Sequence, residues 1–289
     1  MRRALLVTTL CVIGTAGIYA RQPAQQNQTA TIEKIADTLY VVRGGGGNTA
    51  AFLTAKGVVL VDTKLANWGE RIMQQVRSVT DKPVTMIINT HTHGDHTGSN
   101  EFFPASVEVV AHANTKANMQ KMDAFAGAKA EFLPDTVYSD KLTLGAGAER
   151  IDLHYYGPGH TNGDTIVVFP SLRIAHTGDL FAGLGTPLID TNNGGNGLAY
   201  PETLKKAAAG LKGQVDRVIP GHTDVQPFAR FVEFGEFNAA FVDAVRQAQK
   251  AGRTPEQAFA ELELPERFKD FQTTNGQRNV TTIYGELKK

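Results

Sequence analysis

The pattern of hydrophobic and polar residues predicts antiparallel strands at the start of the folded region. Three short runs rich in β-branched and aromatic residues cover Leu39–Val42, Thr49–Thr54 and Val58–Val61. Glycines at 44–47 and a Lys-Gly pair at 56–57 separate these runs, which is typical of hairpin turns. We therefore expect an antiparallel meander.

The pattern then changes to alternating helices and strands. Apolar residues at 68, 72, 76 and 79 predict a helix over Trp68–Val79, and Val84–Ile88 is continuous and apolar, as in a buried strand. The remaining segments predict a mixed α/β layered fold. They are the strands Val107–Val110, Lys141–Leu144, Arg150–Tyr156, Thr165–Phe169, Leu172–His176 and Arg217–Ile219, and the helices Asn114–Phe125 and Pro201–Leu211.

The C-terminal part of the chain is predicted to be helical. Helices are expected over Phe228–Lys250 and Thr254–Leu262, the second opened by a Thr-Pro-Glu cap, and no further strong strand follows His222. We expect one main domain over residues 32–225, with residues 226–289 as a helical extension packed on it.

The first twenty residues have the order of a cleavable secretory signal. Met1-Arg2-Arg3 precedes an apolar run, Ala4–Ile13, and small residues lead to Ala20. The apolar run is shorter than the roughly 20 residues that span a bilayer as a helix. We expect a signal peptide at 1–20, a polar linker at 21–31, and a periplasmic or secreted bacterial protein without a stable membrane anchor after cleavage.

Charge and cysteine content narrow the function. The chain has 29 Lys+Arg and 29 Asp+Glu, without a basic stripe that could follow a phosphate backbone, so a small-molecule substrate is expected and nucleic acid is not. The single cysteine, Cys11, excludes a disulfide within the chain and a cysteine-rich zinc site. Any metal must be bound by histidine and carboxylate.

One segment carries most of the candidate chemistry. It contains His91, His93, Asp95 and His96 directly after the apolar strand, at the strand end where α/β sheets place their ligand sites. The alternate residues His91 and His93 point to one side of an extended chain, whereas Asp95 and His96 follow a turn at Gly94. This spacing indicates two adjacent metal centres.

Three further candidates follow predicted strands at glycine-flanked loops: His160, Asp179 and His222. Each alone is more often structural, but the recurrence of one context supports all three. Histidine and carboxylate ligands without thiolate suit Zn²⁺, with iron or manganese as substitutes, and two such ions about 3.5–4 Å apart form a hydrolytic pair.

These motifs resemble the metallo-β-lactamase superfamily from about Ile32 to His222. The resemblance implies an αββα sandwich, two Zn²⁺ per chain at its edge, and Asp179 as a bridging ligand. It also implies one metal bound by His91, His93 and His160 and another bound by Asp95, His96 and His222.

The sequence departs from the zinc β-lactamases that use a Cys ligand. The sequences of those enzymes are similar to this one around Thr97–Phe103 and Pro158–Thr161. However, His96 is found where they have a residue that does not bind metal, and Asp179 is found where they have the Cys ligand. The ligand set resembles glyoxalase II instead. Ala182 also stands where those β-lactamases have a Lys that binds the substrate carboxylate, so we expect weak β-lactam turnover, with Lys64 and Arg43 as alternative anchors.

The leading hypothesis is a binuclear zinc hydrolase of a β-lactam, lactone, ester or thioester. A metal-bridging hydroxide would attack the substrate without a protein base, and Asp95 would orient it. The alternatives are a glyoxalase II-like thioester hydrolase, an iron-dependent oxidoreductase resembling persulfide dioxygenases, and a metal-binding protein without catalysis.

Two loops and three further histidines lie outside these motifs. The loops Gly44–Asn48 and Gly183–Gly197 are expected to border the site as flexible covers. The three histidines are His112, His154 and His176. A structural role is expected for His154 and His176, and the alternative is that they support the metal ligands.

Overall fold

The computed structural model describes residues 29–288. The predicted signal peptide and most of the predicted linker lie outside these residues. Within residues 29–288, no helix combines the length and the apolar character required to cross a membrane.

The first sheet has seven strands in sequential order. The first four strands are antiparallel, and β4 to β7 are parallel to one another. Every residue of Val58–Val61 is buried, as expected for a strand covered on both faces. The strands are β1 (Thr31–Ala36), β2 (Leu39–Arg43), β3 (Thr49–Leu53), β4 (Val58–Val61), β5 (Val84–Asn89), β6 (Glu108–His112) and β7 (Thr136–Tyr138).

The second sheet has six strands in the order β13-β12-β11-β10-β9-β8. Neighbouring strands are antiparallel except β11 and β12, which are parallel because a helix crosses between them. The strands are β8 (Lys141–Leu144), β9 (Ile151–Tyr155), β10 (Thr165–Phe169), β11 (Ile174–Gly178), β12 (Arg217–Pro220) and β13 (Gln226–Pro227).

Helices cover the outer faces of both sheets. The helices are α1 (Gly69–Arg77), α2 (Gly94–Thr97), α3 (Ala113–Met119), α4 (Tyr200–Leu211), α5 (Phe228–Lys250), α6 (Pro255–Ala260) and α7 (Gly276–Glu286). Ile72 and Val76 of α1 pack on the first sheet, while α4 and α5 pack on the second. In the C-terminal extension, α6 and α7 pack against α5.

The central core lies between the two sheets. Val61 and Ile88 from the first sheet share one buried cluster with Val167 and Ile174 from the second. The layers are therefore helix, sheet, sheet, helix, and the predicted αββα class is confirmed.

Several elements differ from the sequence predictions. The predicted helix Asn114–Phe125 ends at Met119 and a separate 3-10 turn follows, and the predicted strand Leu172–His176 begins at Ile174 because Pro170 opens a 3-10 turn. Five of the named elements have no counterpart in the predictions. They are β1, whose side chains are solvent-exposed or half-buried, the four-residue α2, the three-residue β7, the two-residue β13, and α7.

Candidate metal centre

All seven sequence-predicted ligands lie at one edge of the sandwich, in two groups. In each group, one ligand atom per residue lies within 4.8 Å of every other. We call them the first group (His91, His93, His160 and Asp179) and the second group (Asp95, His96 and His222).

The ends of strands position these residues. His91 and His93 follow β5, and His93 is the extended residue before α2, whose short helix carries Asp95 and His96. In the second sheet, His160 follows β9, whereas the other two ligands follow the parallel neighbours β11 and β12. Carboxyl ends of strands thus converge from both sheets, as the topology of α/β proteins favours.

Two glycines allow this close approach. A Cβ atom at Gly221 would collide with the carboxylate of Asp179, and one at Gly47 would collide with the ring of His96. The backbone at Gly47 also donates to the carbonyl of Asp95 at 2.9 Å. The predicted border loop Gly44–Asn48 therefore packs directly on the second group.

Asp179 lies between the two groups. Its Oδ2 is 3.2 Å from His222 Nε2 and 3.7 Å from His160 Nε2, and its Oδ1 is 3.3 Å from His96 Nε2. Within the groups, His93 Nδ1 is 2.9 Å from His160 Nε2, and His96 Nε2 is 3.3 Å from His222 Nε2. The carboxylate thus has the position that a bridging ligand requires.

Hydrogen bonds at the opposite ring nitrogens orient three of the histidines. His93 Nε2 lies 2.7 Å from Asp190 Oδ2, and His160 Nδ1 lies 2.7 Å from the carbonyl of Leu188. His96 Nδ1 lies 2.7 Å from Asp62 Oδ2. Such partners fix the tautomer and direct the other nitrogen at a metal.

Sequence reasoning missed both carboxylates among these partners. Asp62 follows β4 in a left-handed conformation with φ 64°, which is uncommon for a non-glycine residue. It also accepts hydrogen bonds from the backbone N–H (2.8 Å) and hydroxyl (2.7 Å) of Thr90. The position of Asp62 directly after a buried strand is the sequence feature that could have indicated its role. Asp190 had no such signal within its loop.

The first group is electrostatically suited to bind a cation. Burial, together with neighbouring His96 and His160, lowers the pKa of His91 well below its ordinary value, and burial lowers the pKa of His160 to about 4. Both imidazoles are thus neutral near pH 7, which is the form that binds metal.

The second group attracts protons in the absence of a metal. Burial alone would lower the pKa of His96, but the carboxylates of Asp179 and Asp62 raise it well above its ordinary value. Burial likewise opposes charge on His222, yet its hydrogen bond with Asp179 raises its pKa. The carboxylates of Asp179 and Asp62 therefore stabilise positive charge at the second group, from bound protons or from a metal.

Two buried polar atoms show that these residues fit a metal. His91 Nε2 and Asp179 Oδ1 are buried and make no hydrogen bond within the described part of the chain. Unpaired buried polar atoms are costly, and both belong to the metal-binding residues. Imidazole and carboxylate donors suit a divalent transition metal.

The three other histidines lie outside both groups. His112 Nε2 donates to the carbonyl of Ser139 at 2.7 Å, His154 stacks on Tyr156, and His176 Nε2 lies 3.1 Å from the carbonyl of Asn48. Each of the three rings thus contacts a neighbouring strand or loop of the sandwich.

The C-terminal extension holds the loop that carries Leu188 and Asp190. Thr186 N donates to the carbonyl of Gln272 at 2.8 Å, and Asn275 N donates to Thr186 Oγ1 at 3.0 Å. Asn279, which is almost completely buried, donates through Nδ2 to the carbonyl of Pro187 at 2.7 Å. The first group is thereby supported from outside the sandwich.

A family model described as the metallo-beta-lactamase superfamily matches residues 42–222. The chain belongs to this superfamily. The matched region contains both metal-binding groups in full. The metallo-beta-lactamase relatives of this chain are metal-dependent hydrolases.

The names of similar proteins describe different activities. The chain is 29% identical over 155 residues to 2,4-dinitroanisole O-demethylase subunit alpha of Nocardioides sp. (strain JS1661), covering 52% of this chain and 45% of that subunit, so it spans less than half the length of that relative. It is 25% identical over 190 residues to a type 2 metallo-beta-lactamase of Elizabethkingia meningoseptica, covering 60% of this chain and 70% of the relative.

Solved structures share the fold at low identity. The DIM-1 metallo-beta-lactamase has a TM-score of 0.63 at 18% identity, covering 73% of this chain and 97% of that chain. The inverting sec-alkylsulfatase Pisa1 from Pseudomonas sp. has a TM-score of 0.75 at 14% identity, covering 89% of this chain and 50% of that chain. These similarities show the fold alone.

Proposed function

We propose that the protein is an exported binuclear zinc hydrolase that cleaves a carboxyl-derivative bond in a small molecule. The observation that carries the proposal is the pair of adjacent groups that share Asp179, with unpaired ligand atoms at the centre. His91, His93 and His160 would hold one Zn²⁺, Asp95, His96 and His222 the other, and Asp179 would contact both.

When bound, the two zinc ions lower the pKa of a water molecule and polarise the scissile carbonyl. Asp95 lies where it can orient the attacking water, because its Oδ2 is 3.3 Å from His222 Nε2 and its side chain is 30% exposed. Asp62 and Asp190 keep His96 and His93 in the required orientation. The buried first group excludes solvent from one side of the centre.

Esters, lactones and thioesters are the favoured substrates. The name of the similar demethylase describes an uncharged aromatic ether, and the names of other relatives describe β-lactams. Neither Lys64 nor Arg43 is free to anchor a β-lactam carboxylate: Lys64 is buried with Nζ 2.7 Å from the carbonyl of Gly47, and Arg43 is paired with Glu33 at 2.8 Å. We expect β-lactam turnover that is detectable but weak.

Metal analysis and activity panels test the proposal. The full-length chain, expressed with export and purified, should hold close to two zinc ions and should lose ester and lactone hydrolysis on chelation. Restored activity with zinc would support the assignment. Iron as the native metal would favour the oxidoreductase alternative and would contradict the zinc hydrolase.

Export is tested separately by fractionating the expressing bacteria. Mature protein in the periplasm or medium, with a new N-terminus near residue 21, is the expected result. Retention of uncleaved protein in the cytoplasm would contradict this part of the proposal without affecting the hydrolase activity.

A further inference from the structure

A cavity of about 330 Å³ opens beside the metal-binding groups. Asp179, His222 and Thr223 line one part of it. The loop segment 182–188 and three residues of the C-terminal extension, Phe234, Thr274 and Asn275, line the rest. We call this space the loop cavity. Its volume is within the range of cavities that bind small molecules.

The walls of the loop cavity are uncharged apart from the metal-binding residues. Ala182, Leu184 and Leu188 contribute apolar surface. Thr223 and Thr274 contribute hydroxyl groups that bond no other side chain or backbone group in the described residues. A carboxylate on a substrate arm that packs against residues 182–188 would find no lysine or arginine among the lining residues, and burying an unpaired charge is costly.

Cations on the neighbouring loops do not change this environment. Arg43 donates to the carbonyl of Thr223 at 3.1 Å and is also paired with Glu33, so its guanidinium is already occupied. Lys64 is completely buried against the carbonyl of Gly47.

We propose that the loop cavity binds an uncharged, largely apolar group of the substrate, and that Ala182 and Leu184 determine this preference. This inference rests on the proposed hydrolase function, because the cavity is assigned to a substrate cleaved beside Asp179 and His222. The bound group is a short alkyl or aryl arm, and the two threonine hydroxyls are available to its ester or ether oxygens.

A matched pair of esters tests the preference. The two probes are 4-nitrophenyl hexanoate and the mono-4-nitrophenyl ester of adipic acid, which have acyl chains of equal length and differ by a terminal carboxylate. For the zinc-loaded protein we expect kcat/KM to be at least about tenfold higher for the neutral ester, since the terminal carboxylate of the acidic ester finds no lysine or arginine in the loop cavity. Equal rates, or a preference for the acidic ester, would overturn the inference.

Ala182→Lys provides the matched gain of charge. A lysine at this position should form a charge-assisted hydrogen bond with the acidic ester, so the neutral-to-acidic ratio of kcat/KM should fall by about tenfold. The control is Ala209→Lys on the exposed face of α4, for which the ratio should not change. If both variants shift the ratio equally, the cavity does not bind this group. If Ala182→Lys does not fold, Leu184→Lys places the same charge in the same cavity.

A binding measurement separates this inference from the proposed function. If neither ester is hydrolysed, the ester hydrolase proposal fails, and calorimetric binding of the corresponding 4-nitroanilides to the metal-loaded protein then tests the cavity. Tighter binding of the neutral anilide, with a reduced preference in Ala182→Lys, would support the inference. Equal binding of both anilides would overturn it.

Discussion

The two metal-binding groups differ in burial and in how their histidines are held. In the first group, His91 and His160 are each 1% exposed and Asp179 is 7% exposed. In the second group, the side chains of His222 and Asp95 are 38% and 30% exposed. His93 of the first group is 20% exposed and His96 of the second is completely buried, so the solvent-facing part of the centre is formed mainly by His222 and Asp95.

The supporting contacts show the same asymmetry. His93 and His160 are oriented by Asp190 and by the carbonyl of Leu188, both on a loop tied to the C-terminal extension. In the second group, only His96 has such a partner, Asp62. We infer that the first group would hold a metal tightly, whereas the second group would exchange its metal more readily and would contact the substrate.

Removing one ligand from each group is expected to give the largest difference in zinc content between variants. His160→Ala should leave less than one zinc per chain after dialysis and abolish activity, because the buried group loses a neutral imidazole and only the more readily exchanging second group stays intact. His222→Ala should remove the second metal while the first remains. Metal content after dialysis measures both. Loss of both metals from His222→Ala would contradict the proposed asymmetry.

The ligands were predictable from sequence because they lie in short motifs directly after strands. Asp62 and Asp190 were not, because their partners, His96 and His93, are distant in sequence and only the packed structure brings them together. The loop that carries Asp190 was expected only to border the site. Its role depends on α7, which the sequence predictions did not include.

Asp95→Asn separates metal binding from rate. The amide retains an oxygen ligand but lacks the charge that orients water, so the variant should keep part of its metal while kcat falls by about a hundredfold to ten-thousandfold. Steady-state kinetics on the neutral ester, with metal content determined on the same sample, checks this. A fully active variant would contradict the assignment of Asp95.

Asp190→Ala tests the support of the first group. Loss of the partner of His93 should weaken binding of the first metal by about tenfold to a hundredfold and leave the second unchanged. Competition with a chromophoric chelator measures the two affinities. Asp270→Ala, an exposed change in the C-terminal extension, is the control. Equal weakening of both sites would mean that Asp190 has only a general structural role.

Acid should empty the second group before the first. The raised pKa values of His96 and His222 mean that protons compete with the second metal as the pH falls, and that affinity rises again with pH. His160, with its pKa lowered to about 4, stays neutral through this range. Dialysis at decreasing pH followed by metal analysis should show two steps, and release of both metals in one step would contradict the difference.

The smallest expected effect comes from the C-terminal extension. Asn279→Ala removes the hydrogen bond to Pro187 and should lower the free energy of unfolding by about 1–3 kcal/mol, with a few-fold weaker first metal. Asn238→Ala removes a comparably buried bond to Phe234 and is the matched control. If both variants lose stability equally and neither changes metal affinity, the extension does not support the site.

Because each group has ligands from both sheets, a bound zinc ion would also cross-link the two sheets of the sandwich. His91, His93, Asp95 and His96 extend from the first sheet, whereas His160, Asp179 and His222 extend from the second. A ligand that binds only the folded state, at a free concentration of about a thousand times its Kd, stabilises that state by about 4 kcal/mol. If the proposed zinc is bound, the zinc supply would therefore affect the resistance of this protein to proteases as well as its activity.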